Sequence, residues 1–498
     1  MKVAIIGSGV GGLSIASLLS KEGFKIDVFE SAETYGGKMF RYTNEDGISW
    51  DTGPTLISLP NEIYQIFKIL KKNPPELIPL LTGCRLLFSD QTDWSLPIGL
   101  NQLVSFYQKI DQNISRQFEE VMKISSSIYE FAEDHIFHVD PPSYFQLGLK
   151  SLSSGLFLKY PKITLTPYSK VVDSLITNSN LREFFYHFAS YVGMNPDEAQ
   201  GGILSVAHVE LNSEIVFPKG GVYNIAEHLY KAALDYNAKF HFNSKVISVK
   251  LNENFKHGSN LKLTFEKEHK INECIYDIII SNSDPYVASK TWLEIPSIKK
   301  IFNSKLEKKQ FRPSESQFVI LFDLEDEIDL DHHIKIFPES WRKSFIEVCE
   351  KNQIPNDPCV YLVWPHATDK SVSSRVLFIS AMAPNTLAEV KWDDNFINKY
   401  SEKILNICRT RLSMKLKGKI FKVITPNELE VRANSLNGGI YSATCSSFQP
   451  MNFHFSGLTD TQNLYFVGAG VHPGAGVTMV MKSARRIADH ILKKFANR

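Results

Sequence analysis

The sequence predicts an α/β protein in which a Rossmann-type βαβ domain is interleaved with a β-sheet domain and a helical lobe. Three observations predict it. The first is the stretch from Met1 to Glu30, MKVAIIGSGVGGLSIASLLSKEGFKIDVFE. The second is a Gly-rich stretch near the other end, LYFVGAGVHPGAGV from Leu464 to Val477. The third is length: 498 residues exceed a single typical core. Helical and β-rich periodicities alternate between the two glycine stretches, with no repeat, low-complexity tract or flexible linker.

Lys2 to Ile6 is an apolar run rich in β-branched residues and reads as a buried strand. Gly7, Gly9 and Gly12 follow as G-x-G-x-x-G, and Ile15, Leu18 and Leu19 then recur at helical spacing. Lys25 to Phe29 is a second strand ending on Glu30. The glycines permit a tight turn, close approach of the backbone to a pyrophosphate, and packing of helix on strand. The helix N-terminus offers N–H donors and a positive dipole end to phosphates. Glu30 stands where a carboxylate accepts from ribose hydroxyls, which favours adenosine with a free 2′-OH. A Gly-rich turn in an ordinary α/β domain is the plain alternative; strand, helix, strand and acid in order favour a dinucleotide.

Gly36-Gly37-Lys38 suits a loop over such a cofactor, with Lys38 able to meet a phosphate. Asp51-Thr52-Gly53-Pro54, with Thr55, is a turn in which Asp51 bonds the following N–H groups. Each of these alone reads as a surface turn. From about 96 the pattern becomes helical. Residues 102–132 carry helical apolar spacing, and 169–192 are helical until Gly193-Met194-Asn195-Pro196. Residues 143–160 mix Leu, Phe, Gly and Lys. Exposed, this segment lies on a bilayer with its lysines at the headgroups; buried, it is a core helix pair.

Phe217-Pro218-Lys219-Gly220-Gly221 introduces a helix over 223–236. Strands are predicted at 238–242, 246–251, 261–265 and 275–280, the last closed by Ser281-Asn282-Ser283-Asp284-Pro285. This returns the chain to the nucleotide sheet. Strands at 318–321, 359–364 and 376–383, with a helix over 395–411, form a second β-rich lobe. The closing Gly-rich turn opens a helix over 478–495. Physically it is a second bared helix N-terminus, where negative charge is stabilised; the plain alternative is a helix that only caps the sheet. The predicted division is therefore 1–100, 206–285 and 431–498 for the nucleotide domain, 101–205 for the helical lobe and 286–430 for the substrate domain.

The balance of 55 Lys and Arg against 54 Asp and Glu, with no polybasic run, predicts no nucleic-acid partner. Six scattered cysteines without C-x-x-C predict reduced thiols in a cytoplasmic compartment, with no disulfide framework or metal site. Lys2 before an apolar run imitates a signal peptide, but the ordered glycines and second strand argue against one. No apolar run reaches about 18 residues, so no transmembrane helix is predicted. The 33 Phe and 19 Tyr suit a greasy ligand or simply fill cores.

Together these stretches resemble the bacterial-type phytoene desaturases, among the flavin-dependent carotenoid desaturases and isomerases of the amine-oxidase superfamily. The resemblance spans essentially the whole chain. Besides the motifs above it rests on Val192-Gly193-Met194-Asn195-Pro196, Asn434-Ser435-Leu436-Asn437-Gly438-Gly439, and Gly468-Ala469-Gly470-Val471-His472-Pro473-Gly474-Ala475-Gly476. Amine oxidases similar in the N-terminal half usually carry an acid near Gly470, and this chain has none. The resemblance implies non-covalently bound FAD. It implies that Gly7, Ser8, Gly9, Gly11 and Gly12 cradle the pyrophosphate, Glu30 takes the ribose, and Gly37 and Lys38 lie over the cofactor. Lys38 replaces the usual arginine, so a bidentate fork becomes a point charge. Thr52, Gly53, Pro54 and Thr55 would lie along the flavin and Val246 would meet the adenine. Asp284 would lie near the cofactor, with Gly470 and Val477 beside the ribityl chain and ring. Thr478-Met479-Val480-Met481 departs from the usual Pro-Gly and smaller residues, and Phe448-Gln449-Pro450 has Gln where Arg is common; which polyene is taken stays open.

The implied chemistry removes two hydrogens from adjacent allylic carbons of an acyclic, phytoene-like carotenoid, one as hydride to the flavin and one as a proton. Such a substrate is oriented by shape, and aromatic faces ease cationic character on the polyene. Asp284, His366 and His472 are the candidate catalytic residues for the proton. Each also has a structural reading, as a turn cap, an ordinary histidine and a loop-holding histidine. Oxygen or a membrane quinone is the implied acceptor, and the implied location is cytoplasmic and peripheral to a membrane. Later desaturation of a hydroxylated or methoxylated carotenoid, cis–trans isomerisation, an amine oxidase and a non-catalytic binder of prenylated proteins are the competing readings.

Overall fold

The β-branched run Lys2–Ile6 forms the centre of a five-stranded parallel sheet in a computed structural model. That structure describes residues 1–142, 144–160, 163, 166–252, 260–307, 311–326, 328–445, 454–461 and 463–495. Phe448-Gln449-Pro450 therefore lies outside the described residues. The strand order is Lys239–His241, Lys25–Phe29, Lys2–Ile6, Ile278–Ser281 and Leu464–Phe466. Every neighbouring pair is parallel. A parallel sheet must be covered on both faces, and the alternation in Lys2–Ile6 serves both. Val3 and Ile5 pack into one core with helices Val10–Lys21, Asn61–Leu70, Tyr223–Asp235 and Val477–Phe495. Ala4 and Ile6 pack into another with the antiparallel strands Ser244–Leu251, Leu261–Lys267 and Lys270–Tyr276. The predicted 275–280 strand is divided: Lys270–Tyr276 closes the antiparallel sheet, and Ile278–Ser281 turns into the parallel one.

The second sheet has seven strands, in the order Gly418–Ile424, Ser316–Leu324, Val376–Ala383, Val360–Val363, His333–Ile336, Cys84–Leu87 and Asp93–Ser95. Residues 84–95, grouped by sequence with the nucleotide domain, hydrogen-bond into this sheet. Nothing in their own spacing reports that partner, because the pairing is made with residues 333–336.

The helical lobe is more broken than periodicity suggests. The 102–132 region is two helices, Leu100–Ile110 and Gln112–Ala132. Asp111 divides them, its carboxylate accepting from the N–H groups of Asn113 and Ile114 at 2.7 and 3.1 Å. Residues 169–192 likewise become Tyr168–Leu175, Ser179–Tyr186 and a 3₁₀ turn His187–Val192, with Asn178 capping the second helix. The lobe shares a core with Phe337 and Trp341 from the sheet domain. No helix among the described residues is long and apolar enough to cross a membrane.

Candidate active site

Both Gly-rich turns leave the C-terminal ends of parallel strands, with Ile278–Ser281 between those strands. Ligands bind at this edge of an open α/β sheet. At the first turn Gly7 has φ +92° and its N–H donates to the Phe29 carbonyl at 2.8 Å. A Cβ on Gly12 would stand 2.1 Å from the Gly7 carbonyl oxygen, so only glycine lets this helix start so close to its strand. The helix has no side-chain cap at Gly9 and no acid in its first turn. Its bared N–H groups suit a pyrophosphate. Ser8 donates to Glu30 through its N–H and its hydroxyl, each at 2.8 Å, and the Ala32 N–H donates to the other oxygen at 2.9 Å. The acid is thus tied to the glycine turn. Ser244 N–H donates to the Glu30 carbonyl at 2.8 Å, which starts the strand carrying Val246 beside the same corner.

Sequence reasoning missed Asn282. Its N–H donates to the Ile6 carbonyl at 2.8 Å and its amide to the Val467 carbonyl at 3.3 Å, joining the two turns. A Cβ on Gly9, Gly11 or Gly468 would lie 2.8, 2.7 or 2.7 Å from the Asn282 amide. Three glycines of two distant motifs therefore make room for one asparagine. Its position directly after a buried strand was the available signal.

The second turn leads into Val477–Phe495, which has no acid in its first turn. Gly474 and Gly476 have φ of +131° and +104°, and a Cβ on Gly476 would meet nothing within 4 Å. Gly470 packs against Ser442 and Pro285. Asp284 caps helix Pro285–Lys290, accepting from the N–H groups of Tyr286 and Val287, and also accepts from the Ser442 hydroxyl. Burial raises its pKa, against the pull of Ser442 and Lys38. Lys38 reaches the same corner: its Nζ donates to the Gly439 and Ile440 carbonyls at 3.1 and 2.8 Å. Burial lowers its pKa to about 8, with Asp284 opposing. The contacts of Lys38 thus lie at the Asp284 end of the site. Gly53 has φ +92°, and a Cβ there would stand 2.2 Å from the Lys38 carbonyl oxygen. Thr52 is held by Arg432 and Thr55 by Tyr361.

Burial pushes the phenols of Tyr191, Tyr361 and Tyr441 above their ordinary range. The two turns bring two bared helix N-termini to one edge of the parallel sheet.

A family model described as flavin containing amine oxidoreductase matches residues 10–492. The chain belongs to this family. Within it, the chain is 25% identical over 510 residues to a 4,4'-diapophytoene desaturase (4,4'-diaponeurosporene-forming) of Staphylococcus haemolyticus, covering 99% of each. It is 24% identical to a 4,4'-diaponeurosporene oxygenase of Staphylococcus aureus, covering 98% of this chain and 97% of that one. Among solved structures, putrescine oxidase bound to putrescine superposes with a TM-score of 0.62 at 12% identity, covering 99% of each chain. An oxidoreductase from Methanosarcina mazei gives 0.61 at 13%, covering 98% of this chain and 100% of that one. These two likenesses show the fold.

The flavin family setting makes the two candidate histidines informative. His472 is buried; its Nε2 pairs with the Ile136 carbonyl at 2.9 Å and its N–H donates to the Phe455 carbonyl at 2.8 Å. Burial lowers its pKa to about 4. It ties the Gly-rich turn to the helical lobe. His366 lies on the short 3₁₀ turn Pro365–Ala367, with Nδ1 on the Val372 carbonyl at 2.6 Å. That loop is anchored by Asp369 accepting from the Gly220 N–H at 2.6 Å. The structure does not bring Asp284, His366 and His472 into hydrogen-bonding reach of one another; only Asp284 shares the corner with Lys38 and Gly470.

Proposed function

We propose that the chain is a FAD-dependent carotenoid desaturase acting on an acyclic polyene. The two Gly-rich turns carry this reading: they start helices at the C-terminal ends of strands flanking Ile278–Ser281, as a flavin dinucleotide held along its length requires. Whole-length likeness to diapophytoene desaturases supports it. Bound FAD would supply the two-electron acceptor. Gly7, Ser8, Gly9, Gly11 and Gly12 would hold its pyrophosphate, Glu30 its ribose and the Val246 backbone its adenine. Thr52, Gly53, Pro54, Thr55, Gly470 and Val477 would border the ring, and the N-terminus of Val477–Phe495 would favour negative charge there. Lys38 and Asp284 keep the Gly439–Ser442 segment against that border. A polyene without polar groups would be aligned by shape.

We further propose that the outer helices of the lobe rest on a membrane. Phe145, Leu149 and Leu152 recur at helical spacing with 75%, 52% and 50% exposure, and Leu158 follows at 76%. Leu147 and Leu156 point inward. Lys150 and Lys159 stand beside the exposed row, as at a headgroup boundary. A quinone acceptor suits that placement, oxygen being the alternative. The domain division follows the predicted segments, with 84–95 joined to 286–430.

Expression in a host that accumulates phytoene or diapophytoene tests the function. The expected result is coloured, more conjugated product, and purified protein whose flavin spectrum is released on denaturation. Colourless cells and no extractable FAD overturn it.

A further inference from the structure

We propose that the Asn282 side chain is a cofactor-binding group: its amide hydrogen-bonds a ribityl hydroxyl of FAD, between the pyrophosphate and the ring. This rests on the flavin reading and adds a residue to it. Asn282 follows strand Ile278–Ser281, which lies between the two strands that carry the Gly-rich turns. Its backbone N–H donates to the Ile6 carbonyl at 2.8 Å, so the side chain leaves the sheet edge at a fixed place. Three glycines then surround the amide. A Cβ on Gly9 would stand 2.8 Å from Oδ1, and a Cβ on Gly11 or Gly468 would stand 2.7 Å from Nδ2. The same Cβ on Gly11 would stand 3.0 Å from Val480, in the first turn of helix Val477–Phe495. The amide therefore lies where the N-terminal turns of both helices meet.

The hydrogen bonds of the amide leave it half used. Nδ2 donates once, to the Val467 carbonyl at 3.3 Å, and that bond fixes which end of the amide is nitrogen. One N–H remains, and Oδ1 accepts from no group among the described residues. Asn282 keeps accessible surface, so a bound molecule can reach these atoms. Their chemistry selects what they take. A phosphate oxygen only accepts and is repelled by Oδ1, whereas a hydroxyl both donates and accepts and suits the pair of Oδ1 and N–H. Glu30, beyond Ser8, is the group proposed for the adenosine ribose. The hydroxyls of FAD that remain belong to the ribityl chain, which joins the phosphates to the ring. One Gly-rich turn is proposed for each of those two ends, and Asn282 touches both turns.

The test measures binding to the full chain freed of flavin. It is titrated with FAD, with FAD analogues that each lack one ribityl hydroxyl, and with ADP, which carries the pyrophosphate and adenosine alone. The wild type is expected to bind one deoxy analogue about fivefold or more weaker than FAD, the usual worth of a neutral hydrogen bond. Asn282→Leu, of similar size, is expected to lose FAD affinity by the same factor and to bind that analogue and FAD alike. Its affinity for ADP is expected to stay within about twofold of the wild type. Asn282→Ala is the second variant, should leucine disturb the glycines and prevent folding. Equal losses of FAD and ADP affinity would reduce Asn282 to a tie between the turns and overturn the proposal. Analogues that all bind the wild type as FAD does overturn it too, as does a deoxy penalty that persists without the amide. A wild type that binds no FAD defeats the flavin reading and this inference with it.

Discussion

Gly12 and Glu315 set opposite demands on single positions. Alanine at Gly12 improves helix propensity by about 1 kcal/mol, but its Cβ would meet the Gly7 oxygen at 2.1 Å. Backbone on backbone cannot yield, so Gly12→Ala is expected to lose about 1–3 kcal/mol and most of its FAD, measured by thermal melts and flavin content. Glu315 is 3% exposed, its Oε2 has no partner, and burial raises its pKa to about 8. The folded chain therefore holds a proton that the unfolded chain releases near 4.5. The stability this contributes is complete below 4.5 and is lost as pH rises through 8, on the order of a few kcal/mol. Glu315→Gln cannot ionise, so its stability is expected to fall less between pH 5 and 8 than that of the wild type. Parallel pH profiles would show the carboxyl to be ionised in the fold.

At the scale of elements, the C-terminal helix is a fastener. Glu62, 3% exposed at its side chain, accepts from Arg485 Nε and Nη2 at 2.7 and 2.9 Å, joining Asn61–Leu70 to Val477–Phe495. Arg485→Met leaves that carboxylate buried alone and is expected to cost about 3 kcal/mol in chemical unfolding. Lys482 pairs with Glu133, and Arg486 with Asp140. Together with His472 on Ile136, they bind the helical lobe to the second Gly-rich turn and its helix. The outer helices of that lobe carry the membrane proposal. Changing Phe145, Leu149 and Leu158 to serine removes three exposed side chains, each worth roughly 1.5–3 kcal/mol when buried in lipid. The triple variant is expected to stop floating with vesicles while its melting temperature stays near the wild type. Flotation that persists would place the contact elsewhere.

The whole molecule responds to acid through its buried histidines. His187, His333, His332 and His472 are each held below their ordinary value of 6.5, by burial first; His332 falls to about 3 and His472 to about 4. Unfolding lets them take protons, so the stability they confer is present above 6.5 and is lost as pH falls through 4. Melting temperature is expected to drop steeply from pH 6.5 to 4.5. A flat profile over that range would contradict neutral burial of these rings. FAD acts on the same scale, because its proposed contacts come from the first 60 residues, from Val246 and Asn282, and from the last 30 or so. Adding it at about a hundredfold above its Kd should stabilise the chain by about 2.7 kcal/mol, read as a shift in melting temperature.

Local spacing was enough to predict the first βαβ unit. Strand, glycine turn, helix, strand and Glu30 are contiguous, and each step obeys a short-range rule of backbone geometry. The second turn was legible for the same reason, down to its glycines and the start of its helix. Helix breaks at Asp111 and Asn178 were missed because apolar periodicity continues through a cap. The sheet partner of residues 84–95, the bridging role of Asn282 and the contacts of Lys335 needed the fold. Lys335 meets His187 across 148 residues, and Thr55 meets Tyr361 across 306. Such contacts depend on strand pairing and on which sheet face the helical lobe covers, and no stretch of sequence encodes either locally. The glycine turns could therefore be read along the chain, whereas the contacts between distant segments exist only in the fold.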